Sequence, residues 1–392
     1  MSISLGLVGL GAFGSAFADL FMNHPLVNRV ALCDREPERI AEFANRPSWQ
    51  KKFHQKDAYS SFDEICKSDL DALVIITQPW LHAPQAIQAM EAGKHVYSAV
   101  PIISLPDGDE ILDWCDKLVE TSSRTGMHYM LGETTYYHAP AMYCRRRAQE
   151  GAFGDFVYSE GEYLHDADSP VSNLNEVTER RFSSKAGLEW QEMLKSYRKR
   201  NVRSGPMHYP THSTSGPISV MNAHAVKVCA WGNTAHIDAP YPAHNLLAFT
   251  NEVALFQMSN GTTMRIVEAR KIASLNRETF HIYGTEGSFE NDRWMNRYGE
   301  TELTEDEMRD PLPDEVMEAF QKLDTKEGVY GGHGGSHAYL VNEFVDAIAH
   351  DRSPAINAWE AVRYMAPGVM AHKSALRDGE ILEVPDWGDA PS

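Results

Sequence analysis

The chain has 392 residues, 43% of them hydrophobic and 23% charged, with a formal net charge of −19. That length exceeds one ordinary core and predicts two domains, and the acidic balance argues against nucleic acid or an anionic membrane surface as partner. No run of 18 apolar residues occurs, so no transmembrane helix is expected, and the chain enters its first strand at once, leaving no room for a signal peptide.

An apolar run over residues 3–10 predicts a buried strand, and Phe13, Phe17, Leu20 and Phe21 recur on one face of the helix that follows. Between them stands Gly9-Leu10-Gly11-Ala12-Phe13-Gly14, a G-x-G-x-x-G in the strand–turn–helix setting of a dinucleotide fingerprint. In that fingerprint Gly9 permits the tight turn, Gly11 the approach of a pyrophosphate, and Gly14 the packing of helix on strand. The phosphates then meet the positive helix end. The next strand, 29–34, ends in Asp34, 20 residues after Gly14, where an acid receives the ribose 2′-hydroxyl. A carboxylate there repels a 2′-phosphate, so NAD is expected over NADP, with the neighbouring Arg35 softening the preference. The ordinary alternative is a glycine turn with an unrelated surface aspartate.

A charged helix follows over 36–44, then a polar crossing to 58–59 and a short helix at 62–68. The run 72–76 is continuously apolar, as for a parallel strand covered on both faces. It ends in Thr77-Gln78-Pro79-Trp80, at the carboxyl edge where such sheets bind ligands. A helix over 82–92 closed by Gly93, a strand at 95–98 stopped by Pro101, a helix over 107–124 and a strand at 128–131 complete a doubly wound parallel sheet. This is the first domain, 1–131. Over 132–392 the strands lengthen and alternate, at 156–163, 226–231, 246–258, 262–269 and 279–284. That pattern predicts an α/β domain with an open, largely antiparallel sheet, one face covered by helices. The polar stretch 167–205, with Lys195, Arg198, Lys199, Arg200 and Arg203, is an insertion near the site. Its charges suit a solvated helical excursion, or a surface for an anionic sugar. Helices at 339–349 and 358–376 finish the domain. The five cysteines (33, 66, 115, 144 and 229) include no C-x-x-C pair and predict reduced thiols in a cytoplasmic protein.

With these pieces placed, the chain resembles the Gfo/Idh/MocA family of NAD(P)-dependent sugar oxidoreductases over nearly its whole length. The resemblance is carried by the glycine motif, Asp71-Ala72-Leu73-Val74-Ile75-Ile76-Thr77, His82, Glu91-Ala92-Gly93-Lys94-His95-Val96 and Gly284-Thr285-Glu286-Gly287-Ser288. It implies a Rossmann domain, a second domain whose open sheet covers the nicotinamide, and a homo-oligomer, dimer or tetramer. Members of the family carry Glu-Lys-Pro, the lysine serving a proton relay, where this chain has Ala99-Val100-Pro101. They carry an aspartate four residues before a catalytic histidine, where this chain has His208-Tyr209-Pro210-Thr211-His212. These departures, with Glu160-Gly161-Glu162-Tyr163-Leu164-His165-Asp166, are similar to the NAD-dependent glycoside hydrolases, whose type case is an α-N-acetylgalactosaminidase. That resemblance implies a redox-neutral cleavage of a sugar or glycoside. A hydride leaves sugar C3 for NAD, the ketone acidifies the C2 proton, and its loss expels the glycosidic group. Water then adds and the hydride returns.

His212 is the first candidate for a base, or for a hydrogen bond to the reacting hydroxyl, since histidine titrates near neutrality. Tyr209, Tyr163, His165 and His208 join it as catalytic candidates, the phenols because a positive nicotinamide lowers a nearby pKa. Tyr137, Asp166 and His333 are candidates for holding the sugar, His333 from the loop Gly331-Gly332-His333-Gly334-Gly335. Cofactor contacts are expected at Gly9, Gly11, Ala12, Phe13, Gly14, Asp34, Arg35, Thr77, Pro79, His82, Ala99, Val100, Pro101 and Glu133. No metal is expected, because Pro210 interrupts the His208/His212 spacing and no H-E-x-x-H or cysteine partner accompanies it. Each polar candidate has an ordinary alternative as a satisfied side chain beneath the sheet. Two other functions stay open: a net NAD(P)-dependent sugar dehydrogenase, and a non-catalytic NAD-binding sensor.

Overall fold

The computed structural model describes residues 1–391 apart from 171–173, 239–245, 275 and 324–327. Strand β1 (Ile3–Val8) is buried at every residue, and its apolar run is what a strand between two layers of helices requires. The amino-terminal part continues with α1 (Ala12–Asn23), β2 (Val27–Cys33), α2 (Pro37–Ala44), β3 (Ala58–Tyr59), α3 (Phe62–Cys66), β4 (Ala72–Ile75), α4 (His82–Glu91), β5 (His95–Ala99), α5 (Gly108–Thr125) and β6 (Tyr129–Gly132). Its six strands run in the order β3-β2-β1-β4-β5-β6, and all their pairings are parallel. The order reverses between β1 and β4, which places a ligand crevice at the carboxyl ends of those strands.

The second part comprises α6 (Ala139–Gln149), β7 (Phe156–Leu164), α7 (Leu174–Ser183), α8 (Lys185–Lys199), α9 (Thr211–Met221), β8 (Ala225–Asn233), β9 (Asn251–Met258), β10 (Thr263–Ala269) and β11 (Arg277–Gly284). It continues through β12 (Gly287–Glu290), β13 (Arg293–Asn296), β14 (Gly299–Glu302), α10 (Glu305–Met308), α11 (Asp314–Gln321), α12 (Gly332–Gly335), α13 (His337–Ala349), α14 (Ala358–Ala375) and β15 (Leu382–Glu383). Among the described residues nine strands form one sheet, β14-β13-β12-β11-β7-β10-β9-β8-β15, in which only β7 and β10 pair parallel. Strand β9 shows the expected alternation: Glu252, Ala254, Phe256 and Met258 face inward, while Val253, Leu255 and Gln257 are exposed. Helix α9 lies so close on β7 that a Cβ at Gly161 would meet the Ser213 carbonyl oxygen at 1.9 Å. This contact sets His212 over the end of β7.

The structure differs from the sequence expectations in three places. The strand expected at 246–258 starts at Asn251, and residues 239–245 lie outside the described part. The hairpins β12–β14 had no strong apolar signal, since β14 is exposed at all four residues. The two parts also interleave. Leu340, Phe344 and Val345 of α13, with Phe320 of α11, join the core that contains Phe17, Phe21 and Tyr97 of the amino-terminal part. The polar insertion folds as the helix pair α7 and α8, the latter capped by the Ser184 hydroxyl on Gly187 N–H. Gly187, Trp190, Leu194 and Tyr197 form the buried face of α8, at helical spacing.

Candidate active site

The crevice begins at the glycine turn. Gly9 has φ +89° and a Cβ there would lie 2.3 Å from the Ile76 carbonyl oxygen; one on Gly14 would lie 2.0 Å from the Gly9 carbonyl oxygen. Neither position admits a side chain. Gly11 is different: the nearest atom to a Cβ there is Arg39 Nη1 at 3.6 Å, so its backbone faces open space. Helix α1, which starts at Ala12 and Phe13, has no acidic residue in its first turn and no side-chain cap, so its free N–H groups are available to an anion. Asp34 accepts Leu10 N–H on Oδ2 (2.8 Å) and Glu36 N–H on Oδ1 (2.9 Å), which fixes the carboxylate just beyond the end of β2. Arg35 is engaged by Glu189, and it is Arg39 whose Nη1 stands 3.7 Å from Asp34. His82 is buried, with Nδ1 2.9 Å from the Pro101 carbonyl and Nε2 3.3 Å from the Thr77 carbonyl. It ties the loop after β4, with Thr77 and Pro79, to the end of β5 at Ala99 and the loop beyond it, with Val100 and Pro101. A glycine cradle, a bare helix end and an anchored acid together fit an NAD dinucleotide.

A second group of side chains gathers where β6, β7, β10, β11 and α9 meet. Glu133, just beyond β6, is fully buried, and its Oε1 lies 2.7 Å from Nδ1 of His212. The same oxygen accepts Thr135 N–H at 2.9 Å. Burial opposes charge on both partners. The ion pair wins: the carboxyl of Glu133 is held below its usual range, and Glu133 and Glu278 raise His212 to about 9. Nε2 of His212 then faces Tyr209 Oη at 3.5 Å.

Tyr163 is the centre of a ring stack. His165 lies on one side at 3.9 Å between centroids and 8° between planes, and His212 stacks at 5.2 Å and 13°. His165 Nε2 is held by Glu278 Oε1 at 3.1 Å, so each imidazole has its own carboxylate. Arg270 sits 4.5 Å over the Tyr163 ring and donates to Glu268 Oε2 at 2.8 Å, while Ser213 Oγ donates to Glu268 Oε1. Burial drives the phenols of Tyr163 and Tyr209 upward, with Arg270 opposing it at both. In the protein alone both tyrosines therefore carry their protons at neutral pH, the reverse of the expected lowering, which needs a positive ring beside them. Glu133 Oε2, His165 Nδ1 and His138 Nε2 are buried without a hydrogen-bond partner among the described residues. An unmet buried polar group costs about 1–3 kcal/mol, so each of the three would gain from a polar partner.

Other candidates stand elsewhere. His208 has Nδ1 3.2 Å from the Leu105 carbonyl and packs edge-on to His372 at 4.5 Å. His372 in turn holds Glu252 at 2.7 Å. Burial keeps His208 neutral, far below its ordinary pKa. Asp166 Oδ1 accepts Asp168 N–H in a local turn, and Tyr137 packs against Tyr136 and Tyr339. His333 meets Phe13 of the glycine turn at 5.3 Å and His337 at 3.1 Å, and its neighbour Gly334 approaches His138. The loop 331–335 thus joins the dinucleotide turn to the histidine cluster. Glu278, His138, Arg270 and Glu268 carried no motif in the sequence.

Residues 3–125 match the oxidoreductase family, NAD-binding Rossmann fold (GFO_IDH_MocA), and residues 251–390 match the carboxy-terminal domain of glycosyl hydrolase 109. A glycosyl hydrolase family 109 protein of Streptomyces niveus is 26% identical, over 98% of this chain and 77% of its own. An alpha-N-acetylgalactosaminidase of Shewanella oneidensis is 21% identical, over 98% of this chain and 85% of its own. Among solved structures, scyllo-inositol dehydrogenase from Lactobacillus casei with bound NAD(H) and scyllo-inositol superposes with a TM-score of 0.65 at 17% identity, covering 98% of this chain and 99% of that one. Aldose-aldose oxidoreductase from Caulobacter crescentus does so with a TM-score of 0.71 at 15% identity, covering 98% and 100%. These structures share the fold.

Proposed function

Because the chain belongs to the Gfo/Idh/MocA family and ends in a domain of the glycosyl hydrolase 109 kind, we propose that it cleaves a glycoside through transient oxidation at sugar C3, with NAD recycled. Bound NAD supplies the acceptance of a hydride from the sugar and its return. Asp34 would hold the ribose, and the α1 end and Gly11 the phosphates. What the chain itself must supply is proton movement at three places: the C3 hydroxyl, C2 and the leaving oxygen.

The observation that supports cleavage best is the pair of carboxylate-held imidazoles on the Tyr163 stack. A net dehydrogenase needs one group to take the hydroxyl proton. Here Glu133 holds Nδ1 of His212 and leaves Nε2 to exchange a proton, and Glu278 holds Nε2 of His165 and leaves Nδ1. Two independent exchange points suit a cleavage that must take protons at the C3 hydroxyl and C2 and give protons back, with His212, raised to about 9, holding its proton at neutral pH and so suited to give one. Tyr163 and Tyr209, both protonated, are suited to donate to the leaving oxygen. Val100, in the place of the family's lysine, can do none of this. His333, on the loop beside the glycine turn, is suited to the sugar's far side.

The exposed side chains Trp231, Val253 and Leu255 on the uncovered sheet face support a face-to-face homo-oligomer. Four buried free cysteines support a reducing, cytoplasmic setting. A panel of aryl glycosides, starting from the α-N-acetylgalactosaminide, tests the reaction. Aglycone release without growth of the NADH absorbance is expected. NADH formed without release would make the chain a dehydrogenase, and inertness of the whole panel in a protein that still binds NAD would favour a sensor.

A further inference from the structure

Glu189 and Trp190 are neighbours on α8, yet they reach different strands of the first sheet. Glu189 receives both terminal guanidinium nitrogens of Arg35, just beyond β2, at 2.9 and 2.8 Å. Trp190 stacks on Trp80, just beyond β4, with centroids 4.8 Å apart and planes 8° apart. In the strand order, β2 and β4 flank β1, and the glycine turn leaves β1 between them. Two strand spacings are about 10 Å, a gap that long side chains on consecutive helical residues can straddle. Helix α8 therefore crosses the mouth of the crevice. Its far end is moored as well: Tyr197 Oη donates to Glu110 Oε2 at 2.6 Å, and Arg200 pairs with Glu110 and Asp107 at the start of α5.

The two contacts at the mouth differ in weight. Arg35 and Glu189 are both about half exposed, and such pairs hold little. The two indoles are 6% and 4% exposed, and Trp190 Nε1–H is buried with no acceptor among the described residues.

We propose that α8 is a clasp over the dinucleotide crevice, locked by the Trp80–Trp190 stack, which keeps NAD in the protein between turnovers. The inference rests on the dinucleotide site alone and stands whether or not a glycoside is cleaved. A clasp across a mouth slows passage in both directions, whereas a simple contact residue alters departure only.

The test uses the full chain without any sugar. Protein loaded with NADH is chased with excess NAD, and the loss of nicotinamide fluorescence gives departure; mixing stripped protein with NADH gives arrival. Trp190→Ala is expected to speed both by about tenfold, the worth of a lost aromatic stack. Trp190→Phe should stay near the parent. Glu189→Ala, at an exposed site, should speed both by a few-fold and leaves the test open if Trp190→Ala does not fold. Rates in Trp190→Ala and Glu189→Ala within about twofold of the parent, a difference worth under half a kcal/mol, would overturn the clasp. Faster departure with unchanged arrival would overturn it too, since that marks a direct contact.

Discussion

At the scale of single residues the site is governed by Glu133, whose carboxylate reaches His212 at 2.7 Å out of reach of solvent. Two unit charges near 4 Å attract by about 4 kcal/mol at an effective dielectric of 20, enough to offset the burial that opposes both ions. Glu133→Gln removes that charge while keeping an acceptor. The pH at which His212 loses its proton should then fall from about 9 toward the ordinary 6.5, and the matching limb of the kcat/KM profile should move with it. A limb that stays in place would detach Glu133 from proton transfer. His212→Ala should lower kcat by about 10²–10⁴, the usual worth of a positioned proton-transfer group. Glu278→Gln leaves His165 without a charged partner, and a charge-assisted hydrogen bond of about 1.5–3 kcal/mol translates to a kcat lower by roughly ten- to a hundredfold. Unaltered kcat in that variant would confine Glu278 to a structural role. Tyr163 and His212 were visible as candidates in the sequence, and Glu278 and Glu268 were not. The reason lies in pairing: Tyr163 stands opposite Glu278 on β11 and Glu268 on β10, and no spacing in one chain tells which strands become neighbours.

At the scale of elements, the glycine turn is the strictest. Gly14→Ala puts a methyl 2.0 Å from the Gly9 carbonyl oxygen, so the turn or the start of α1 must move. Loss of NAD binding in fluorescence titration is expected, with a lower Tm; binding at parental strength would show that the turn yields more easily than its packing implies. The parallel strands were legible because burial on both faces leaves them continuously apolar, as in β1 and β4. Helix α9 was harder. Pro210 looks like an interruption of a helix carrying His208 and His212, but it is the N-cap residue immediately before α9, which begins at Thr211. His208 therefore falls in the preceding tight turn and packs on His372, while His212 falls in the first turn of α9. Edge strands such as β14, wholly exposed, leave no alternation to read. The polar insertion looked solvated, yet one face of α8 buries two aromatic rings.

At the scale of the whole molecule, buried neutral histidines set the acid limit. Burial lowers His24, His82 and His95 to about 4 and His337 to about 3, against an ordinary 6.5. The unfolded chain takes up protons at these sites first, so stability falls as pH drops from about 6.5 through 4. His212 acts in the opposite sense: its raised pKa contributes stability fully below 6.5, and this is lost as pH rises through about 9. Tm should therefore be highest between these limits and fall on both sides. A Tm unchanged from pH 7 to pH 4.5 would contradict the burial of these rings. The interleaving of α11 and α13 with the first sheet couples the two parts, so one thermal transition is expected rather than two. For the function as a whole, the most direct measurement is hydrolysis of a cleaved glycoside in deuterated water, with the released sugar analysed at C2 and the NADH band followed in parallel. Deuterium at C2, equal to the sugar released and without net NADH, is the predicted result. Release of sugar with protium retained at C2 would contradict elimination through a C3 ketone.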